Sequence, residues 1–361
     1  MLALFIAFVV SSFFLLLADV NPFDAFSSMW SYGTRSDSLI SMVNRATPLY
    51  ISALAVGIGF KMGLFNIGVE GQYRVAAVFA AAVGAGVSLP PLLHVPLILL
   101  TAVVAGMVWV AIPAILKVTR GVHEVIATIM MNAISFGLTA WLLANFLSRR
   151  SSETSLILST GTIPESGRFP SLNPVLEGLG LELRRGSNLQ GFVIVAALLG
   201  IAYYIVVWRT RFGFELRSSG INPSASLVAG VEPKAMVLKT LFISGGLAGL
   251  IGMSHLLGSS PYRYDTDFPP QWGFTGIAVA LLGRNHPVGI AIGALLFGFM
   301  DRSAQILDLE GIPKEIVVIM QGVIVISVVI AYELVRRYRL EQEERAVTEI
   351  LETEAPAGVS A

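Results

Sequence analysis

Between Phe60 and Gln72 the sequence sets Lys61, Gly63, Asn66, Gly68, Glu70, Gly71 and Gln72 between two short hydrophobic stretches. Glycines let a backbone leave the helix, and amides and carboxylates can hydrogen-bond a small polar molecule. Irregular backbone at membrane depth survives only when buried in protein or lining a wet cavity, and an ionisable group there is functional by default. The spacing therefore predicts a broken helix in which Asn66 and Gln72 are suited to touching a solute. Glu70 and Arg74 stand at i and i+4, so a helical ion pair that screens its own charge is the alternative reading of Glu70.

A second constellation runs from Gly213 to Gly230. Asn222 suits an N-cap, Pro223 the first helical position and Gly230 the position just past the C-terminus, so both ends of a helix of about two turns are specified. Leu227 and Val228, with Ile221 just before, give it an apolar face too small to build a core. That face would dock into a groove on a partner or lie on the membrane surface.

In the third, from Gly273 to Gly289, an apolar stretch is ended by Gly283 and Pro287 and a second one begins. Half-length helices are expected, with Gly289, Gly293 and Gly298 letting neighbours approach closely. Gly-rich breaks near both ends of the chain hint at internal duplication, although the two stretches do not align.

Enzyme chemistry finds little support. His123-Glu124 begins like a zinc-protease helix, but Ala127 stands where the second histidine belongs, and the four histidines are isolated. No Gly-Lys pair exists, so the chain has no phosphate-cradling loop and cannot use ATP unaided. The absence of cysteine removes disulfides, thiolate metal sites and thiol nucleophiles. No catalytic residue, metal or cofactor is expected. Asn132 is either a solute contact or a helix-to-helix hydrogen-bonding group.

These residues need elements to hold them, and the composition says of what kind. Of 361 residues, 55% are hydrophobic and 13% charged, and mean hydropathy is +0.74, which excludes a soluble multidomain protein. Lys+Arg and Asp+Glu balance at 24 each, without the basic footprint of a nucleic-acid binder. The expected fold is all-α and polytopic, one transmembrane domain over 1–335, with about ten segments of membrane-spanning character, some broken or half-length. They run from Met1 to Leu17, Pro48 to Phe60, Tyr73 to Leu89, Leu92 to Leu116, Val125 to Leu147, Phe192 to Trp208, Met236 to Leu257, Phe274 to Leu282, Val288 to Met300 and Ile316 to Val335.

A modest excess of Lys and Arg on the side of the termini puts both in the cytoplasm. Residues 148–190 then form an external loop, ordered as a cap, and 209–239 a cytoplasmic one. The tail, 336–361, reads as a solvated helix stub followed by a disordered end.

Six stretches together resemble a known family, the inner-membrane permeases of bacterial ABC importers, in the branch of ribose-type sugars and nucleosides. They are Gly63 to Gln72, His123 to Asn132, Ile163 to Ser166, Thr210 to Arg217, Gly220 to Pro223 and Gly276 to Pro287. The resemblance implies a type II importer fold, a pair of permease subunits, two cytoplasmic ATPase subunits, and a lipoprotein or periplasmic receptor that delivers solute. It makes the helix from Asn222 to Gly230 the coupling helix, with Gly220, Asn222, Pro223, Leu227 and Gly230 as its key positions. The Gly-Leu-Phe-Asn-Ile-Gly and Arg-Asn-His-Pro runs are similar to permeases that serve nucleoside uptake. Met1 lies almost inside the first segment, where members of that family usually carry a short basic leader.

A nucleoside or sugar is neutral, so amides and hydroxyls would dominate its path, and Asn66, Gln72, Asn132 and Ser244 fit, beside Glu70. Moving a two-state equilibrium from 1:99 to 99:1 takes roughly 5.5 kcal/mol of differential binding, more than a neutral solute offers. ATP binding elsewhere would supply it. An ion-coupled secondary transporter using Glu70, Glu124 and Asp301 as relay groups is the rival.

Overall fold

The computed structural model describes residues 2–148, 157–178, 180 and 186–354. Apolar runs that meet lipid can satisfy their backbone only as helices or closed barrels, and this chain forms helices. Among the described residues there is no β-strand, and extended backbone pairs only at two single bridges, Ser159 with Asp265 and Ser171 with Gln190.

In chain order the elements are α1 (Leu2–Leu17), α2 (Pro22–Gly33), α3 (Ser36–Phe60), α4 (Val69–Gly86), α5 (Pro91–Arg120), α6 (Glu124–Leu142), α7 (Asn173–Gly178), α8 (Phe192–Tyr204), α9 (Arg211–Ile221), α10 (Pro223–Val228), α11 (Pro233–Gly249), α12 (Met253–Gly258), α13 (Trp272–Leu282), α14 (Pro287–Leu309) and α15 (Glu315–Glu354). Both α6 and α8 end in one π-helical turn, Leu143–Leu147 and Ile205–Arg209.

Each expected segment coincides with a helix except Met236 to Leu257, which covers α11 and, after a break at 250–252, the short α12. Among the described residues, seven helices are long and apolar enough to cross a membrane, or eight if α1 and α2, bent by 111°, form one broken span. The remaining two segments fail for different reasons. α13 has only 11 residues. α4 has 18, about 27 Å of helix, but carries Glu70, Gln72 and Arg74, and it lies buried against its neighbours rather than facing lipid. The tail is helical to Glu354. The expectation of a largely disordered end therefore fails as far as Glu354, and residues 355–361 lie outside the described residues, as do 149–156, 179 and 181–185 of the expected cap.

α3 and α4 occupy the centre, with Leu54, Val56, Tyr73 and Ala76 fully buried. α11 crosses α5 on glycine: a Cβ at Gly249 would strike the Ala102 carbonyl, and one at Gly106 the Gly245 carbonyl. Small residues permit such backbone contact between helices where lipid supplies no hydrophobic drive. Gly298 does the same for α14, where an added Cβ would lie 2.5 Å from the Met42 carbonyl oxygen of α3.

Candidate functional site

The expected broken helix is present. α3 ends at Phe60, Gly63 takes φ +72°, and α4 starts only at Val69. Within that break Asn66 turns inward, 1% exposed. Its Nδ2 donates to Gln72 Oε1 at 3.0 Å and to Ser244 Oγ at 2.8 Å, while Gln72 Nε2 donates back to Asn66 Oδ1 at 2.9 Å. Ser244 Oγ donates onward to the Ala55 carbonyl at 2.6 Å. From α6, Asn132 Nδ2 donates to the Ile67 carbonyl at 2.9 Å and its Oδ1 accepts the Gly71 N–H at 2.8 Å.

The four polar residues singled out for a neutral solute are thus brought together by α3, α4, α6 and α11. All four are buried, and their hydrogen bonds run to one another and to nearby backbone. In this conformation they clamp the break. An unpaired buried amide or hydroxyl costs about 1–3 kcal/mol, which explains why they pair so completely.

Glu70 does more than pair with Arg74. The expected i,i+4 ion pair is there at 3.2 Å, but Glu70 Oε1 also accepts the Tyr73 hydroxyl at 2.9 Å and the Gln271 N–H at 2.9 Å, and Oε2 accepts the Gly273 N–H at 3.0 Å. One carboxylate caps the N-terminus of α13, where free N–H groups and the helix dipole favour a negative charge. Gln271 adopts φ +70° to present its N–H, and a Cβ on Gly273 would lie 2.5 Å from the Glu70 backbone nitrogen. Arg74 in turn rests over the Phe136 ring at 4.5 Å. Nothing in the spacing of Glu70 pointed to a helix 200 residues downstream.

The second constellation folds as its punctuation requires. Thr210 Oγ1 caps α9 by accepting the Gly213 N–H at 3.1 Å, and Asn222 Oδ1 caps α10 by accepting the Ala225 N–H at 3.0 Å. Pro223 is the first residue of α10. Gly230 takes φ +82°, its N–H reaches the Leu227 carbonyl at 3.0 Å, and the Val231 N–H reaches the Ser226 carbonyl at 2.9 Å. This is a Schellman closure. Ile221, Leu227 and Val228 are 86%, 61% and 91% exposed, so the elbow's apolar face is left uncovered by the described residues.

That elbow rests directly on the break. A Cβ on Gly220 would lie 2.5 Å from the Lys61 carbonyl oxygen and 2.8 Å from Met62 Cα. Met62 Sδ also accepts the Thr240 hydroxyl of α11 at 3.2 Å. Outside the spans, burial first and then Arg217 and Arg284 hold the Lys61 ammonium below the ordinary lysine range.

The three acids considered for ion relay are tied separately. Glu124 pairs with Lys117 at 2.6 Å and accepts the Phe65 N–H at 3.4 Å, Asp301 accepts from Gln321 at 2.8 Å, and Glu70 holds α13. Among the described residues no three His, Cys, Asp or Glu side chains gather to hold a metal ion.

Buried amides thus surround a broken span, and an exposed elbow is seated on the break. The chain belongs to the family described as branched-chain amino acid transport system / permease component, whose model matches residues 38–329. It is an ABC transporter permease subunit, a channel component rather than an enzyme. It is 35% identical over 337 residues to the guanosine ABC transporter permease protein NupP of Bacillus subtilis, covering 92% of this chain and 93% of that one. The glucose ABC transporter permease protein TsgB13 of Haloferax volcanii is 32% identical over 341 residues, 92% of this chain and 87% of its own. The nucleoside ABC transporter permease protein NupB of Lactococcus lactis is 29% identical over 345 residues, 92% and 90%. No solved structure matches the chain.

Proposed function

We propose that this permease imports nucleosides across the bacterial cytoplasmic membrane, with both termini in the cytoplasm. Its drive comes from two ATPase subunits docked on the α9–α10 elbow. The relatives named for guanosine and nucleoside transport support the solute class. A second permease subunit completes the channel, and a lipoprotein or periplasmic receptor delivers the solute.

One observation carries the mechanism: the contact of Gly220 with Lys61 and Met62. A push on the elbow is delivered straight to the break whose next residues are Asn66 and Gln72. Asn66, Glu70, Gln72, Asn132 and Ser244 then act as a closed gate. When the break moves, their amides and hydroxyls exchange one another for the ribose hydroxyls and base edge of a nucleoside. The exchange is nearly isoenergetic, because each lost hydrogen bond is replaced and a typical one is worth only about 1 kcal/mol net.

The test is uptake by proteoliposomes holding the permease assembly with its ATPase and receptor. Labelled guanosine should accumulate only with ATP inside, and glucose should not compete. Concentrative uptake by this chain alone, or uptake abolished by an ionophore with ATP preserved, would refute the scheme. Glucose uptake without guanosine uptake would favour the sugar reading, which the similarity to TsgB13 keeps in view.

A further inference from the structure

A groove of about 590 Å³ runs between α3, α8 and α14, away from the amide gate. Its walls are apolar, with small residues Ala196, Ala197 and Gly200 of α8 facing Ala291 and Ala294 of α14. It follows α8 from Val193 to Tyr204, roughly 16 Å at the helical rise. The hydrocarbon of one leaflet is about 15 Å deep.

Tyr204 and His286 line one end of the groove, and basic residues approach them through neighbouring aromatic rings. The Arg209 guanidinium lies over Tyr204 at 5.8 Å and the Lys61 ammonium over Trp208 at 5.1 Å, while Arg284 lies over Tyr332 at 4.1 Å. Trp208 packs on His286 with ring centroids 5.4 Å apart. Among the described residues, the ion pairs of the chain involve other basic side chains, so these three cations rest on aromatic faces instead of carboxylates. An aromatic face holds a cation while leaving its N–H donors unused. Lys61 also lies within the electrostatic reach of both Arg217 and Arg284, a like-charge crowd that an anion would relieve.

We propose that this groove is a site for an anionic phospholipid, with one acyl chain between α8 and α14 and its phosphate among Lys61, Arg209 and Arg284. Basic pockets between transmembrane helices bind anionic headgroups for this reason. A helix of a second copy would suit the apolar walls, but an anionic lipid would suit them and also bring a negative charge to the three cations. Because Lys61 also touches the α9–α10 elbow through Gly220, the headgroup would steady the elbow against the break.

The experiment is native mass spectrometry of the purified full chain with palmitoyl-oleoyl phosphatidylglycerol, palmitoyl-oleoyl phosphatidylcholine or inorganic phosphate as probe. Phosphatidylglycerol should be retained preferentially, and Arg209→Gln or Arg284→Gln should each weaken that retention about fivefold. Ala197→Phe, which fills the groove, should abolish it. A phosphatidylglycerol with a photoreactive acyl tail should label the unaltered chain beside Ala197 or Ala291, so the site is tested even if Ala197→Phe fails to fold. Equal retention of the two lipids, displacement of phosphatidylglycerol by inorganic phosphate alone, or labelling confined to other helices would each overturn the proposal. So would an Ala197→Phe chain that keeps the lipid but loses self-association, which would assign the groove to a second copy.

Discussion

Asn66 and Gln72, six residues apart, exchange two hydrogen bonds, at 3.0 and 2.9 Å, that tie the break after α3 to the first turn of α4. Both amides are buried, each about 1% exposed. Removing one therefore strands the other. Asn66→Leu should cost about 2–3 kcal/mol of stability, and Gln72→Leu a similar amount. The double substitution should cost less than the sum, because it leaves no orphaned amide. Thermal unfolding in detergent of the two single variants and the double one measures this, and strict additivity would count against the pairing.

Glu70 holds Arg74 and the first N–H groups of α13 with a single carboxylate. Glu70→Gln keeps the shape but leaves a buried guanidinium without its countercharge, a loss of about 3 kcal/mol. Adding Arg74→Met should recover part of that loss in the same unfolding measurement. If the double variant were less stable than Glu70→Gln alone, the charge argument would fail.

Gly220→Val would push a side chain into the Lys61 carbonyl. Overpacking of this kind costs about 1–3 kcal/mol. The expected outcome is an assembly in which ATP hydrolysis persists while uptake per ATP falls severalfold. Simultaneous assay of phosphate release and solute uptake checks it, and an unchanged ratio would separate the elbow from the gate.

Leu227 and Val228 contribute little to this chain's own packing, so Leu227→Asp and Val228→Asp should change its stability by no more than about 0.5 kcal/mol. Co-purification of the ATPase should nevertheless be lost. Retained co-purification with both substitutions combined would place the docking surface elsewhere.

Lys61 has its folded-state pKa held below the ordinary lysine value, so between those two values the unfolded chain binds more protons than the folded one. Stability should therefore rise with pH through that alkaline window, and its cost to the fold is fully present only below it. In Lys61→Met the rise should flatten. A pH series of unfolding midpoints for both chains reads the difference, and identical slopes would remove Lys61 from the account.

What the sequence revealed and what it hid divides by distance along the chain. Asn222, Pro223 and Gly230 were legible because caps act on residues one to four places away. Asn66, Gln72 and Asn132 stood out as polar groups in apolar surroundings, and Ser244 by its hydroxyl, but their mutual bonding was invisible. Asn66 and Ser244 are 178 residues apart, and only the packing of α11 against α3 brings them together. The cap that Glu70 gives α13 was hidden for the same reason. The ion pair with Arg74, one helical turn away, was seen. Span counting blurred at α4, where polar residues sheltered by neighbouring helices lower the apolarity that lipid would demand.

The glycine crossing of α5 and α11 sets a mechanical limit. With bare peptide planes pressed together at Gly106, Gly245 and Gly249, there is no cushion of side chains to shear. These two helices must travel as one slab. On the proposed mechanism, the shape change that opens a passage bends the chain at 61–68, one stretch where the ladder of helical bonds is already interrupted.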